Sequence, residues 1–498
     1  MKYQYAVALA ACFIGAAGCG SKSAGGGTGG LGGGASAQGG QGGAYPVPDR
    51  CAPDCGPTTE QLFDNAKVAD LKITFDPKVV AAEVAALKAL GYQGPLDTWV
   101  DLMWAKWKHC GPYDNYVSVT VEYQSPDGIG NVVMHNVGMR FRGSKSRGVN
   151  DLDGFKLDFQ KLYKGEMLDK KPKFGGRSQL NILSIENHDL SLIGQCLAYK
   201  TMREFGDVPA PLCNHLRVFV NDALYGVLEN VEAVDEKPFL TRNFQDNNDG
   251  SFYGGSAACG YPDSKADLKY NGDTFTGDYL MEYEPIQAKD VTTPETDLIP
   301  MLKCGDATAT PDPAAFKACI SEWIDVPEWL KLIAAESLMP TLESFTGTLR
   351  NYFLYFKADP TSVHGGRFVI YSWDYDTAFQ HSGCYPTSCD PLVSVASWFG
   401  PARGRAALVK RLTTEFRAEY CAAMNAFLKN TYKPKLVDDL TSVLAPIVTT
   451  SPFMLAKAPF AVTDWQTQTM ALRDFITTHG QAAQAQVDAI CAPPGGTQ

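Results

Sequence analysis

The sequence predicts an α+β protein with a β-rich N-terminal part and a mainly helical C-terminal part. Runs in which apolar and polar residues alternate dominate the region from residue 116 to residue 231, and such alternation is typical of half-buried strands. After residue 408 the apolar residues recur instead at helical spacing. The chain has 498 residues, of which 45% are hydrophobic, so it can bury a core in one large domain or two ordinary ones.

Each predicted strand is an alternating or β-branched run, and two pairs of runs are joined by turn residues. Asp127 and Gly128 lie between the first pair, and Asn221 and Asp222 between the second, which predicts two antiparallel hairpins. The predicted strands are residues 70–75, 116–123, 131–142, 154–159, 216–220, 225–231, 350–357 and 367–371.

The predicted helices have an apolar face and end at residues that terminate helices. Gly91 ends the first, an alanine-rich segment, and Gly206 ends the second, for which Asp189 is the predicted cap. Pro327 begins the third helix. The predicted helices are residues 77–90, 191–205, 327–339, 409–428, 433–444 and 463–486.

The first 18 residues have the pattern of a secretory signal peptide. One lysine near the start is followed by an apolar run from Ala6 to Ile14 and then by small residues. The end of this segment resembles a bacterial lipobox, which predicts that Cys19 becomes the lipidated first residue of the mature protein. Ala16 stands where that pattern prefers leucine, so ordinary cleavage nearby is the alternative.

Residues 19–44 are expected to form the lipidated cysteine and a flexible tether. This segment is nearly all Gly, Ser, Ala and Gln, a composition that cannot bury enough apolar surface to fold. Gly20 and Ser21 follow the cysteine, with no aspartate, which resembles outer-membrane sorting in a cell with two membranes. We therefore expect an exported protein that associates with the membrane through its lipid anchor, at the outer membrane or cell surface.

Cysteine content and charge narrow the class of protein further. Removing Cys19 and the signal-peptide cysteine from the fourteen cysteines leaves an even number, which is typical of disulfides in an oxidising compartment. Cys51 with Cys55, and Cys384 with Cys389, are close enough to pair locally, while the full connectivity stays open. The net charge of −11 argues against a nucleic-acid partner, which needs a basic face.

A basic loop and strand are the first candidate for site chemistry. The glycine-bracketed loop 143–148 contains Ser144, and such a loop can direct backbone N–H groups and a cation at phosphate oxygens. Arg142 precedes the loop, and an arginine fork matches phosphate geometry. Lys156 lies in the middle of a predicted strand. The alternatives are a plain turn and a lysine whose stem covers a half-buried sheet.

Two carboxylates form the second candidate. Asp374 and Asp376 follow the predicted strand 367–371, and if the segment stays extended they point to the same face. Carboxylate oxygens suit Mg²⁺ or Ca²⁺. Asn351 is a candidate neutral oxygen ligand for the same cation. The alternatives are a solvated turn for the pair of aspartates and a capping role for Asn351.

Taken in order, these segments resemble the spore-coat-protein-H (CotH) kinase family. The similarity covers about residues 117–380, and several ordered motifs are more specific than any one of them. The motifs are Met139 to Ser144 (an R-G-N-S type loop), residues 155–159 (a basic strand), residues 180–183 with Asp189, residues 218–232, residues 351–355 (N-[FY]-[YF]-L-Y) and residues 373–376 (W-D-[LFY]-[DN]).

The resemblance implies a fold, a domain division and an activity. Its fold would be an atypical protein-kinase-like arrangement of two lobes, with a β-rich N-terminal lobe and a mainly helical C-terminal lobe. Residues 45–115 would be an N-terminal extension, residues 116–392 the CotH kinase-like domain, and residues 393–498 a C-terminal helical region. The activity would be ATP- and Mg²⁺-dependent phosphorylation of Ser or Thr in proteins, here in surface or secreted proteins.

The resemblance also implies roles for individual residues. Lys156 would contact the ATP phosphates, and Arg142 with Ser144 would cover them. Asp374 would bind Mg²⁺ between the phosphates, helped by Asp376 and Asn351. The segment around Glu232 would meet adenine, which makes Glu232 a candidate cofactor-binding residue.

Glu343 stands where the family pattern has its catalytic aspartate. A base that is one methylene longer must be repositioned to reach a substrate hydroxyl at hydrogen-bond range. The sequence therefore supports two functions: an exported lipoprotein kinase with Glu343 and Asp374 as its catalytic residues, or a non-catalytic surface adhesin or assembly scaffold that keeps the fold and binds glycan or protein.

Overall fold

Seven strands close into a barrel, in the order β1-β2-β3-β4-β5-β7-β6. All neighbouring pairs are antiparallel except the pair that closes the barrel, where β1 and β6 run parallel. The barrel strands are β1 (Ala69–Thr74), β2 (Val117–Gln124), β3 (Val132–Phe141), β4 (Phe155–Asp158), β5 (Gln179–Leu183), β6 (Cys213–Val220) and β7 (Ala223–Val231).

A separate antiparallel sheet has four strands in the order β11-β10-β8-β9. Strands β10 and β11 form a hairpin, and β8 pairs with β10 on one side and β9 on the other. These strands are β8 (Phe252–Gly255), β9 (Tyr283–Gln287), β10 (Tyr352–Ala358) and β11 (Gly366–Ser372).

This computed structural model describes the greater part of the chain. The described residues are 56–106, 116–142, 154–164, 171–184, 189–206, 208–245, 250–255, 266–287, 294–341, 344–347, 349–379, 407–450 and 462–492.

The helices are distributed along the chain, and the last four follow β11. They are α1 (Thr59–Leu62), α2 (Pro77–Ala89), α3 (Trp99–Lys106), α4 (Gly194–Phe205), α5 (Lys237–Phe244), α6 (Asp278–Glu282), α7 (Leu298–Gly305), α8 (Pro313–Trp323), α9 (Val326–Leu338), α10 (Ala407–Glu415), α11 (Arg417–Asn430), α12 (Lys435–Val448) and α13 (Val462–Cys491).

Capping residues explain where several helices begin and end. The Asp325 carboxylate accepts a hydrogen bond from the Glu328 N–H at the start of α9, as an N-cap does. Gly206 follows α4 with φ 77°, a conformation that glycine adopts without strain. Asp189 accepts hydrogen bonds from the backbone N–H groups of Ser191 and Gly194 and so satisfies the first N–H of α4. The N-cap position itself is occupied by Ile193 and not by Asp189 as predicted.

The two-lobed, protein-kinase-like fold expected from the resemblance is wrong. The N-terminal strands form a closed barrel, and the second sheet is separate from it. Closure depends on β1, which lies in the segment predicted to be an extension, and which pairs with both β2 and β6. The β1–β6 pairing is parallel and joins residues far apart in the sequence, so no local turn signal predicts it.

Two large cores stabilise the barrel and the helical part. The barrel interior is filled by alternate side chains of its strands, such as Leu71, Met139 and Leu157. The other core contains α4, α9 and the C-terminal helices, with Trp329 fully buried at its centre. A smaller cluster joins α5 to the outer face of the four-stranded sheet, where Phe239 contacts Tyr371.

Three disulfides lie among the described residues, which confirms that cysteines of this chain pair. They join Cys196 to Cys213, Cys304 to Cys319, and Cys421 to Cys491. The first ties α4 to β6, and the last ties α11 to the end of α13. The locally spaced pairs expected at Cys51/Cys55 and Cys384/Cys389 lie outside the described residues.

The export signals predicted from the sequence also lie outside the described part of the chain, since it begins at residue 56. The signal peptide, Cys19 and the tether therefore stay predictions. Among the helices that the structure describes, none combines the length and the apolar composition needed to cross a bilayer.

Candidate functional site

A row of polar side chains crosses the outer face of the barrel. Arg140 on β3 lies opposite Lys156 on β4, and Lys156 lies opposite Asn181 on β5. Residues that face each other across antiparallel strands project from the same face. Because the intervening residues fill the barrel interior, this row faces outward. Arg142, two residues after Arg140, continues it beyond the end of β3.

Arg142 is held by two contacts that come from different elements. Its Nη1 donates a hydrogen bond to Asn181 Oδ1. Its guanidinium carbon lies 4.1 Å from the centre of the Trp373 ring, which is within the range of a cation–π interaction. Trp373 follows β11, so this contact joins the basic face of the barrel to the loop that carries the predicted metal ligands.

That loop places Asp374 beside Asn351. The Trp373 N–H donates to the Asn351 carbonyl over 2.9 Å, and Asn351 Nδ2 lies 3.5 Å from Asp374 Oδ2. Both residues have left-handed backbones, with φ 55° for Asn351 and φ 65° for Asp374. Asn and Asp are the side chains that tolerate this region best after glycine. The structure therefore brings together the two residues proposed from the sequence as ligands of one cation, and their role as metal ligands stays a prediction.

The expectation of an extended segment from Asp374 to Asp376 is wrong. At φ 65° the backbone of Asp374 leaves the strand, and Asp376 begins a turn. The argument that alternate residues share a face therefore does not apply to this pair. Asp376 is half-buried in that turn, and its role as a metal ligand stays a prediction.

Tyr199 supports the strained position of Asp374. Its hydroxyl oxygen accepts a hydrogen bond from the Asp374 N–H over 2.8 Å, and its ring meets the Tyr375 ring edge-to-face at 5.5 Å. Burial raises the pKa of Tyr199 well above its usual range, and the Asp374 charge adds to that effect. The hydroxyl therefore stays protonated and neutral, and α4 carries it to the loop.

Electrostatics make this region ready for an anion. Burial lowers the pKa of Arg142 to about 10, and repulsion from Arg140 acts in the same direction. Burial also lowers the pKa of Lys156, with further lowering by both arginines. Arg142 and Lys156 are desolvated, and the charge of Arg140 repels both. A bound anion would offset these unfavourable positive charges.

Asp235 is a member of the site that sequence reasoning missed. Its negative charge acts on both Lys156 and Arg142 and opposes the lowering of their pKa values. Its Oδ1 lies 3.5 Å from Gln179 Nε2 on β5. A single aspartate in a loop carries no distinctive pattern, so only the folding of the segment after β7 against β4 and β5 reveals it.

Asn181 was also missed as a contact of Arg142. It is 2% exposed and lies between Leu180 and Ile182, whose side chains fill the barrel interior. A polar residue within an apolar run was the available signal, because a buried amide needs a partner. Residues 180–183 form one of the motifs of the family resemblance, but that motif implies no contact between Asn181 and Arg142.

Glu232 lies in a buried ion-pair network. Its side chain is fully buried, with Arg177 Nη1 2.6 Å from its Oε1. Arg242 contacts the other oxygen, which also accepts a hydrogen bond from the Leu212 N–H over 2.9 Å. These contacts give the buried Glu232 carboxylate a structural role. The contact of its segment with adenine stays a prediction.

Two predicted residues, Ser144 and Glu343, lie outside the described residues. Residues 344–347, which follow Glu343, are described and buried. The structure thus describes the residue that directly follows Glu343 without describing Glu343 itself.

A buried group of possible metal ligands lies elsewhere, at the start of α4. One ligand atom each from Cys196, His215 and Glu229 lie within 4.8 Å of one another. The Cys196 sulfur is bonded to Cys213. Burial lowers the pKa of His215 to about 4 and raises the pKa of Glu229 to about 8. With the Cys196 sulfur in a disulfide and the Glu229 carboxyl mainly protonated at pH 7, we assign no metal to this group.

The part of the chain that contains the candidate site matches a known protein family. A family model described as CotH kinase protein matches residues 139–482, more than half of the chain. The matched range contains Arg142, Lys156, Asn351 and Asp374. No curated protein matches the chain.

Proposed function

The chain belongs to the CotH kinase protein family, and we propose that it transfers a phosphoryl group from Mg²⁺-bound ATP to Ser or Thr hydroxyls of proteins. One observation supports this proposal more than any other. The contact between Arg142 and Trp373 places a face with three cations next to the Asp374 and Asn351 side chains. Phosphates and a divalent cation need those two kinds of group side by side.

The barrel face would bind the phosphates of ATP. Lys156 and Arg142 would donate to phosphate oxygens, and Ser144 in the adjoining loop would cover them. Burial, together with repulsion between positive charges, lowers the pKa values of Arg142 and Lys156, and the negative phosphates would offset both effects. Because both groups are desolvated, their attraction for an anion is stronger than on an open surface.

Asp374 and Asn351 fit a hard cation, because both offer oxygen ligands and their side chains meet. Asp376 would add a second carboxylate from the same turn. Bound there, Mg²⁺ would neutralise charge on the phosphates that are transferred and released. The protein's part is to hold the two side chains through the left-handed backbones of Asn351 and Asp374.

Glu343 would act as the base that accepts the proton of the substrate hydroxyl. The family has aspartate at this position, and the longer side chain of Glu343 must fold back or enter from a more distant backbone. The predicted export and lipid anchor make proteins at the cell surface or outside the cell the proposed substrates.

The second candidate function is a surface adhesin or assembly scaffold without catalysis. The observation that favours it is the replacement of the family's catalytic aspartate by Glu343. Under this proposal the barrel and the Asp374 loop would bind a cation or a polyanion without transferring phosphate.

A thermal-shift measurement separates the two proposals. The full mature chain would be melted with ATP, with Mg²⁺, and with both. A ligand at about 100 times its dissociation constant should stabilise the protein by about 2.7 kcal/mol. A shift that requires both ligands, followed by phosphate transfer to a protein substrate, is the expected result for a kinase. Absence of any shift would reject nucleotide binding and leave the scaffold.

A further inference from the structure

We propose that Glu336 is a positioning residue, which fixes the Asp374 loop against the segment that follows Glu343. The inference rests on the proposed function, because it assigns a role within the same site. Glu336 accepts hydrogen bonds from Tyr375 and Thr346, and its proposed action passes through these two residues.

The two carboxylate oxygens of Glu336 bind two different loops. Glu336 lies on α9 and is fully buried. The Tyr375 hydroxyl donates to its Oε1 over 2.6 Å, and the Thr346 N–H donates to its Oε2 over 2.7 Å. One side chain therefore joins the turn after Asp374 to residues 344–347.

From Tyr375 the connection continues to Asp374 in two ways. Tyr375 is the next residue in the chain, and its ring packs edge-to-face on Tyr199, whose hydroxyl accepts the Asp374 N–H. A left-handed aspartate persists only where surrounding contacts hold it.

From Thr346 the connection runs along a short turn toward Asn351. Residues 344–347 form a turn in which the Gly347 N–H donates to the Ser344 hydroxyl over 3.2 Å and the Leu349 N–H donates to the Ser344 carbonyl over 3.0 Å. This turn begins directly after Glu343 and leads to Asn351. Fixing Thr346 therefore restrains the turn that leads to the proposed metal ligand Asn351.

Packing alone does not account for a carboxylate at this position. The neighbours of Glu336 on α9 are mostly buried apolar residues, and an apolar side chain would avoid the desolvation of a carboxylate. An apolar side chain would, however, leave the Thr346 N–H and the Tyr375 hydroxyl without this acceptor. The carboxylate is the group whose two oxygens can accept from both loops at once.

The test compares three variants of the full mature chain. Glu336→Leu removes both acceptors, whereas Glu336→Gln keeps the shape and can still join the two loops, because a tyrosine hydroxyl also accepts a hydrogen bond. Glu328→Leu is the matched control. It removes another buried carboxylate from the same helix, at a distance in sequence from the residues that contact the two loops.

Hydrogen exchange of the backbone tests positioning without any need for activity. Glu336→Leu should accelerate exchange at Thr346 and in residues 373–379 relative to the barrel strands, and Glu336→Gln should restore most of the protection. Exchange in both loops that is unchanged in Glu336→Leu, or equally fast in Glu328→Leu, would overturn the proposal. This outcome does not depend on whether the protein binds ATP.

Kinetics test the connection to the site. Because small displacements of reacting groups cost up to about a hundredfold in rate, Glu336→Leu should lower kcat by at least about tenfold and raise the Mg²⁺ concentration needed for half-maximal activity. KM for ATP should change less, since the phosphate-binding side chains lie on the barrel. An unchanged Mg²⁺ requirement in Glu336→Leu would overturn the proposal, whereas a wild-type chain that neither binds nor uses ATP would overturn the proposed function and leave hydrogen exchange to decide.

Discussion

The guanidinium carbon of Arg142 lies 4.1 Å from the centre of the Trp373 ring. Arg142 extends strand β3 of the barrel, and Trp373 extends strand β11 of the separate sheet. Each residue is adjacent to a part of the proposed site, since Arg142 precedes the phosphate-binding loop and Trp373 precedes Asp374. The contact therefore aligns the two halves of the site before any ligand binds.

Replacing Trp373 by leucine should weaken nucleotide binding. The substitution removes a cation–π interaction of about 1 kcal/mol or more and lets Arg142 move relative to Asp374. We expect the thermal shift with ATP and Mg²⁺ to fall clearly, while Trp373→Phe retains part of it because an aromatic face remains. A Trp373→Leu protein with the wild-type shift would show that this contact does not organise the site.

Asp374→Asn should abolish phosphate transfer and leave the fold intact. Asparagine tolerates the left-handed backbone at φ 65°, so the loop keeps its conformation while one carboxylate is lost. The measurement is phosphate transfer together with the melting temperature. Asp374→Ala is the less suitable variant, because alanine adds backbone strain at this position. Transfer that persists in Asp374→Asn would remove this residue from the metal role.

Glu232→Ala should destabilise the protein strongly. It leaves Arg177, which is 2% exposed, and Arg242 without their shared carboxylate. Breaking a buried ion pair by removing one partner typically costs about 3–5 kcal/mol, which urea unfolding would detect. If stability is unchanged and only nucleotide affinity falls, the carboxylate contacts adenine instead.

Glu229 should make stability depend on pH. Burial raises its pKa from about 4.5 to about 8, so between these values the folded protein holds a proton that the unfolded chain has released. The free energy of unfolding should therefore fall as pH rises from 4.5 to 8, by at most about 1.4 kcal/mol per pH unit from this group.

The Glu229→Gln variant isolates this contribution, because glutamine keeps the shape without the ionisable group. Two other buried groups also make stability depend on pH in or near this range. Burial raises the pKa of Glu236 to about 7, which adds to the trend, and lowers the pKa of His215 to about 4, which lowers stability as pH falls below 6.5. The wild-type minus variant difference should slope downward with pH, and a flat difference would contradict the assigned pKa of Glu229.

Local signals predicted much of the secondary structure. The hairpin of β2 and β3 followed from alternation and from the Asp127-Gly128 turn, and the structure confirms it. The predicted helix 409–428 is instead two helices that meet at Phe416, whose backbone leaves the helical region. Apolar spacing continues through that break, so no local pattern predicts it.

Candidate site residues were proposed from the sequence when they lie in a recognisable motif. Residues whose contacts join distant elements were missed. Asn351 and Asp374 were recognised from their motifs. Asn181 lies 39 residues from Arg142, and Tyr199 lies 175 residues from Asp374. Such partners have no local periodicity, and only the packing of the folded chain brings them together.

The parallel pair that closes the barrel has a consequence for the order of folding. Asp70 on β1 and Arg217 on β6 are 147 residues apart, are paired in register, and form a two-bond ion pair with oxygen–nitrogen distances of 2.7 and 2.8 Å. During synthesis, β1 is made long before its β6 neighbour, and one edge of it has no partner until then. Contacts of such long range form slowly, and an open edge strand can pair with other chains. Completion of β6 is thus the earliest stage at which the nascent chain can shield this edge within its own barrel.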